Sequence, residues 1–194
     1  ALGMAYGIVL MALWVAAQSI ATALPHGALS PQQWHAHEMM FGFAGAIICA
    51  TVLTALPGWA HTPEVRGAPL AGLVALWLAG RIAFLGIAWL PPAVVIVADG
   101  GLYVALLALF ATQLRHVANR YYLLLLPVFA GMLAGNVLFL PGHAEAGLKA
   151  CLYSIVLVYA LKGGVLVPVF TGNHLRATGR GGQTPFLFPL EVAA

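Results

Sequence analysis

The stretch APLAGLVALWLAGRIAFLGIAWL, residues 68–90, contains a single charged side chain, Arg81. As an α-helix it would extend about 35 Å, enough to cross the roughly 30 Å hydrocarbon core of a bilayer. A helix on the surface of a soluble protein needs a polar face, and this stretch has none. The stretch therefore predicts a transmembrane helix.

Apolar runs of similar length recur about every 30 residues along the chain. They predict six transmembrane helices, at about 1–24, 31–57, 68–90, 93–112, 121–140 and 147–170. We expect an all-α integral membrane bundle formed by residues 1–175, followed by a flexible tail, 176–194. The apolar piece in that tail, residues 186–192, is too short to cross a bilayer.

The composition excludes a soluble protein. Hydrophobic residues make up 62% of the chain and charged residues 7%, whereas a soluble domain has about a quarter charged residues. The net charge of +3 comes from scattered side chains, which argues against nucleic-acid binding. Cys49 and Cys151 lie inside apolar runs, which favours buried thiols over a disulfide or a metal-binding pair.

The basic residues indicate the orientation of the chain. If the helices alternate in direction, five arginines share one side: Arg66, Arg115, Arg120, Arg176 and Arg180. Lys and Arg in short loops stay on the cytoplasmic side, so we expect both chain ends in the cytoplasm. His26, His35 and His37 would then lie at the periplasmic face of a bacterial inner membrane.

The densest polar cluster is WHAHEMM, residues 34–40, preceded by His26 and by the helix-start sequence Ser30-Pro31-Gln32-Gln33. On a regular helix His35, Glu38 and Met39 share a face. His37 points about 200° away, so the two histidines could chelate one ion only if the backbone were still extended at His35.

Two interpretations of this cluster stay open. Histidines at the mouth of a membrane helix are often polar residues wetted at the interface. The alternative is a metal or haem site, because imidazole nitrogen and thioether sulfur both suit copper and imidazole suits haem iron. In that case His35, His37, His26 and Met39 are the metal-ligand candidates.

Two charges lie inside predicted spans. Arg81 and Asp99 lie about 14 Å and about 11 Å below the Pro91-Pro92 turn, so we expect an ion pair facing the bundle interior. A charge at mid-bilayer costs at least about 2.5 kcal/mol. The pair could fix helix register, bind an anion or haem propionate through Arg81, or pass protons through Asp99.

Other features of the sequence are weaker indications of a functional site. Lys162-Gly163-Gly164, with Pro168, predicts an interruption or kink of the last span. Asn136 and His143 are second-rank site candidates. The methionines and tryptophans outside the cluster are interpreted as lipid or interface packing: Met4, Met11, Trp77 and Trp89.

The motif HAHEMMFGF, residues 35–43, resembles the signature of the NnrS family. Further stretches resemble the family in the same order: LTALPGW at 53–59, LWLAGR at 76–81, Gly163-Gly164 and VPVFTGN at 167–173. Two positions depart from the family pattern, since Val165 and Gly172 stand where arginine is common. Family members usually have about twelve spans, so the chain resembles their N-terminal half.

The resemblance implies a bacterial inner-membrane protein that contains haem b and copper and is connected with nitric oxide resistance during denitrification. It implies His35 and His37 as metal or haem ligands, Glu38 as their hydrogen-bond partner and Arg81 as a buried partner. The implied partners are the bilayer, nitric oxide, and a second copy or a second six-helix half.

Two other hypotheses remain open from the residues alone. One is a small-molecule or proton transporter that uses Arg81 and Asp99. The other is an assembly subunit that binds nothing by itself. No nucleophile elbow, phosphate loop or dinucleotide motif supports hydrolysis or nucleotide chemistry.

Overall fold

The structure is a computed structural model that describes residues 2–20, 26–117, 120–140 and 142–180, and those residues form no strand. Its elements are α1 (Leu2–Ile20), α2 (Pro31–His37), a π-helical segment (Glu38–Ala44), α3 (Gly45–Ala60), α4 (Ala68–Leu85), α5 (Pro92–Leu114), a 3-10 turn (Arg120–Leu124), α6 (Leu125–Phe139) and α7 (Ala144–Ala177). The predicted all-α class is confirmed. The predicted tail from residue 181 onward lies outside the described residues.

Five helical stretches in the described part of the chain are long and apolar enough to cross a membrane. They are Pro31–Ala60, Ala68–Leu85, Pro92–Leu114, Arg120–Phe139 and Ala144–Ala177. A shorter apolar helix, Leu2–Ala17, precedes them. The order and spacing of these helices along the chain agree with the predicted membrane helical bundle.

Two helix ends and one predicted interruption differ from the predictions. The second span continues past Pro57 to Ala60. The third ends at Leu85, where the N–H of Gly86 closes the helix on the carbonyl of Ile82 at 3.0 Å. The predicted interruption at residues 162–164 is wrong, since α7 continues without a break to Ala177.

The start of α2 is fixed by the predicted capping box. The Ser30 hydroxyl accepts from the backbone N–H of Gln33 at 3.1 Å, and the Gln33 side chain accepts from the Ser30 N–H at 2.9 Å. This exchange satisfies backbone donors that the first helical turn leaves free. The helix therefore begins at Pro31, and His35 and His37 are both helical.

The π-helical segment was not predicted. Its wider turn is braced by two side chains from neighbouring helices: the indole N–H of Trp77 donates to the carbonyl of Gly42 at 3.1 Å, and the Tyr103 hydroxyl donates to that of Phe41 at 3.2 Å. π-Helical turns inside longer helices occur often at functional sites. Trp77 was predicted to pack against lipid or at the membrane interface, and that prediction is wrong, because its side chain is buried and only 8% exposed.

The chain divides into two compact units, residues 1–154 and 155–194. In the first unit α4 packs on α5, α5 packs on α6, and α1 packs on the π-helical segment. Its apolar core is centred on Trp34, Phe84 and Phe139, each 0% exposed. Cys49 is a buried free thiol, as predicted, and so is Cys151.

The second unit contains the C-terminal part of α7 and the turn that closes it. The N–H of Arg180 donates to the carbonyl of Leu175 at 3.0 Å, and Gly179 adopts a left-handed φ of 66°. A glycine in this conformation commonly ends a helix, because it carries no Cβ to clash.

Loops that should share a membrane face lie together. Gly27, in the loop before α2, lies against Ala88 in the α4–α5 turn. At the opposite end, the Gln113 amide donates to the carbonyl of Pro63 at 3.3 Å, and Tyr122 donates to that of Trp59. The helices of the first unit therefore alternate in direction, as the orientation argument requires.

Candidate functional site

A buried polar network is centred on Arg81. One terminal nitrogen of its guanidinium donates to Glu38 of the π-helical segment, and the other donates to Asp99 of α5. Glu38 accepts a further hydrogen bond from the Tyr6 hydroxyl, and Asp99 accepts one from the Asn136 amide. The predicted Arg81–Asp99 ion pair is confirmed as one part of this larger network.

The network is shielded from solvent. Glu38 is 0% exposed, Asn136 2%, Arg81 3% and Asp99 4%. Its members come from α1, the π-helical segment, α4, α5 and α6, so it ties five elements together. Removing one partner from such a group leaves an uncompensated buried charge, which is strongly destabilising.

His37 belongs to this network. Its Nδ1 lies 3.3 Å from an Oε of Glu38, and its Nε2 lies 3.1 Å from an Oδ of Asp99. Phe84 stacks on the ring, with centroids 3.8 Å apart and planes at 8°. Because a metal ligand needs a free nitrogen lone pair, His37 could ligate only by giving up a carboxylate contact.

The charges of the network can be balanced by one proton. Ionised Glu38 and Asp99 carry two negative charges against one positive charge on Arg81. A neutral imidazole has only one N–H, whereas both nitrogens of His37 face carboxylate oxygens. One additional proton, held between His37 and the two carboxylates, would supply the second donor and make the cluster neutral.

His35 lies in a different environment. Its ring stacks on Trp14 of α1, with centroids 4.3 Å apart and planes at 20°. Its Nδ1 has no hydrogen-bond partner in the described part of the chain. Since the backbone is helical here, the arrangement in which His35 and His37 chelate one ion from an extended chain is not formed.

The other predicted ligands lie near the same end of the bundle. His26 begins the turn before α2, where its carbonyl accepts from the N–H of Leu29 at 3.0 Å. The Nδ1 of His26 has no partner among the described residues. Met39, one helical turn beyond His35, packs against the apolar core and is partly buried.

Met39 also lines an apolar groove of about 870 Å³ between α1 and the π-helical segment. Its walls include Met4 and Met11 of α1, while Gly7 and Phe43 also contribute. This groove was not predicted from the sequence. The spacing of Met4 and Met11, seven residues apart on one face of α1, was the available indication.

The remaining candidates differ in burial. Asn136 is a member of the buried network. The other histidines in the described chain are all exposed: His61, His116, His143 and His174. Lys162 is partly buried within α7.

The donor groups near His35 limit the kind of metal site that the protein can form. Among the described residues, no group of three or more His, Cys, Asp and Glu side chains is placed to hold one. The unpartnered imidazole of His35 and the sulfur of Met39 remain as donors of the type that copper accepts. The two residues share one helix face. Together they would hold a small ion, and His35 is the residue that would hold haem.

The comparisons with known proteins agree with the motifs. The sequence model of a family described as NnrS protein matches residues 1–193. No curated protein and no solved structure matches the chain.

Proposed function

The chain belongs to the NnrS family, and on that premise we propose that it is a bacterial inner-membrane protein that binds haem b or copper and contributes to nitric oxide resistance. The family is one of membrane proteins of the nitric oxide stress response. A metal centre would give such a protein a site at which nitric oxide can bind.

The observation that carries the proposal is the environment of the His35 imidazole. Its imidazole has an unpartnered ring nitrogen and a ring face fixed against Trp14. A ligand held in one orientation before the metal arrives loses little conformational freedom on binding. His26, nine residues before His35, also has a ring nitrogen without a partner among the described residues.

The buried network supports this site by holding the helix that carries His35. His37 and Glu38 follow His35 by two and three residues and are anchored to α4 and α5 through Arg81 and Asp99. His37 and Glu38 therefore position the ligand-bearing helix in this proposal. A bound haem or copper would supply the centre to which nitric oxide coordinates.

The transporter hypothesis gains no specific support from the cavities described. The apolar groove and a second apolar cavity of about 340 Å³, lined in part by Cys49 and Trp77, include neither Arg81 nor Asp99 in their walls. Both charges are already paired within the network.

The proposal is tested on the purified protein and in cells. The absorption spectrum should show a haem or copper band that shifts when nitric oxide is added. Bacteria expressing the protein should grow faster under a nitric oxide donor than cells expressing His35→Ala at the same level. A spectrum without any such band, or equal growth of the two strains, would overturn the proposal.

A further inference from the structure

Three of the five methionines in the chain line one groove. Met4, Met11 and Met39 all border the apolar groove between α1 and the π-helical segment. Met4 is 62% exposed and Met11 43% exposed, so neither sulfur is enclosed by the core. Thioethers gathered on an open apolar surface are available to a ligand that prefers sulfur.

His35 adjoins the same groove through two helical relationships. Met39 follows His35 by four residues, and the two therefore lie on one helix face. On α1, Trp14 follows Met11 by three residues, and Trp14 stacks on the His35 ring. Met11 and Met39 both line the groove, so the helix spacings and the stacking contact bring His35, Met11 and Met39 to one end of it.

We infer that Met11, Met39 and His35 form a binding site for Cu(I). Two thioether sulfurs and an imidazole nitrogen are the soft and intermediate donors that favour copper over magnesium, calcium or manganese. This inference rests on the proposed metal-binding function and deepens it, because it assigns the ion, its oxidation state and two sulfur ligands.

The apolar surroundings favour a monovalent ion. The groove is lined by Met, Gly, Ile, Ala, Val and Phe residues, none of which carries a charge. Charge in a low-dielectric setting is costly unless it is compensated. Cu(I) brings one positive charge, whereas Zn²⁺ or Cu(II) brings two and would require anionic ligands. The nearby carboxylate, Glu38, is engaged by Arg81 and Tyr6.

The test is a Cu(I) titration of the full chain, purified without copper and kept anaerobic with a reductant. Competition with a chromogenic Cu(I) chelator should show one tightly bound ion per chain. Met11→Leu and Met39→Leu preserve volume and apolarity, and each should weaken Cu(I) binding at least about tenfold. X-ray absorption at the copper edge should show sulfur neighbours in the wild type and none in the double variant.

Met40→Leu is the matched control. Met40 is adjacent to Met39 in the π-helical segment and is absent from the groove lining, so its substitution should leave the Cu(I) affinity unchanged. A thermal unfolding measurement on each variant establishes that the fold is retained.

The outcomes separate this inference from the proposed function. If His35→Ala loses copper while the Met11→Leu, Met39→Leu double variant keeps it at wild-type affinity, the thioether site is wrong and the metal-binding proposal survives. If the wild type binds no Cu(I) but shows the haem band, the copper site fails and the haem proposal stands. If neither copper nor haem binds, both fail.

Discussion

Arg81 and Asp99 form an ion pair between antiparallel helices α4 and α5, with both side chains less than 5% exposed. The pair is not isolated, because Arg81 also holds Glu38 and Asp99 also holds Asn136. An arginine shared by two carboxylates from different helices determines how those helices are aligned. The stability of the bundle should therefore depend on Arg81 more than on any surface charge.

Arg81→Met should destabilise the protein by about 3–5 kcal/mol, because two buried carboxylates lose their cation. Thermal unfolding in detergent measures the effect. Arg66→Met is the control, since Arg66 pairs with Glu64 at the surface with its side chain 79% exposed. Exposed pairs contribute little. Equal melting temperatures for Arg81→Met and Arg66→Met would contradict a structural role for the network.

Gly80→Ala should weaken the contact between α4 and α5. A Cβ at Gly80 would lie 2.9 Å from the Cα of Asp99 and 2.8 Å from one of its carboxylate oxygens, so the helices must separate. Overpacking of this kind costs about 1–3 kcal/mol. Gly72→Ala on the same helix meets no atom within 4 Å and should be neutral or slightly stabilising. A Gly80→Ala protein as stable as Gly72→Ala would show that the helices are not in close contact here.

Tyr6→Phe removes the hydroxyl that donates to Glu38. A hydrogen bond to a charged group contributes about 1.5–3 kcal/mol, so chemical denaturation should detect the loss. Tyr153→Phe is the matched control, because Tyr153 is 66% exposed. If both substitutions leave the unfolding midpoint unchanged, α1 is not anchored through Tyr6.

A measurement of proton transport distinguishes a network that only stabilises the fold from one that conducts protons. The charges of Arg81 and Asp99 are satisfied within the network, so metal-free proteoliposomes should leak protons no faster than empty liposomes. Asp99→Asn should leave that rate unchanged while lowering the melting temperature. A proton flux in the wild type that Asp99→Asn abolishes would instead establish the transporter hypothesis.

The sequence predicted those parts of the site that depend only on residue spacing within one helix or across one tight turn. Counting residues from the Pro91-Pro92 turn gave Arg81 and Asp99 similar depths, and the pair is formed. The capping box at Ser30 followed from local spacing alone. Both relationships need only the helical rise and the direction of the chain.

The sequence could not show which way each helix is rotated. His35 and His37 differ by about 200° around the helix, and only contacts with α4, α5 and α6 place His37 in the network while His35 meets Trp14. The π-helical turn further changes the rotation of the side chains around the helix, and the hydropathy pattern of the sequence does not show it. Tyr6 was missed because a tyrosine in an apolar helix is usual at a membrane interface.

The most direct test of the account is the metal content of the purified His35→Ala protein, measured beside His174→Ala. His174 is exposed and belongs to α7, a helix that carries none of the metal-site candidates. If His35 is the ligand, His35→Ala loses its copper or haem while His174→Ala keeps the wild-type amount. Wild-type metal content in a folded His35→Ala protein would contradict the assignment of His35.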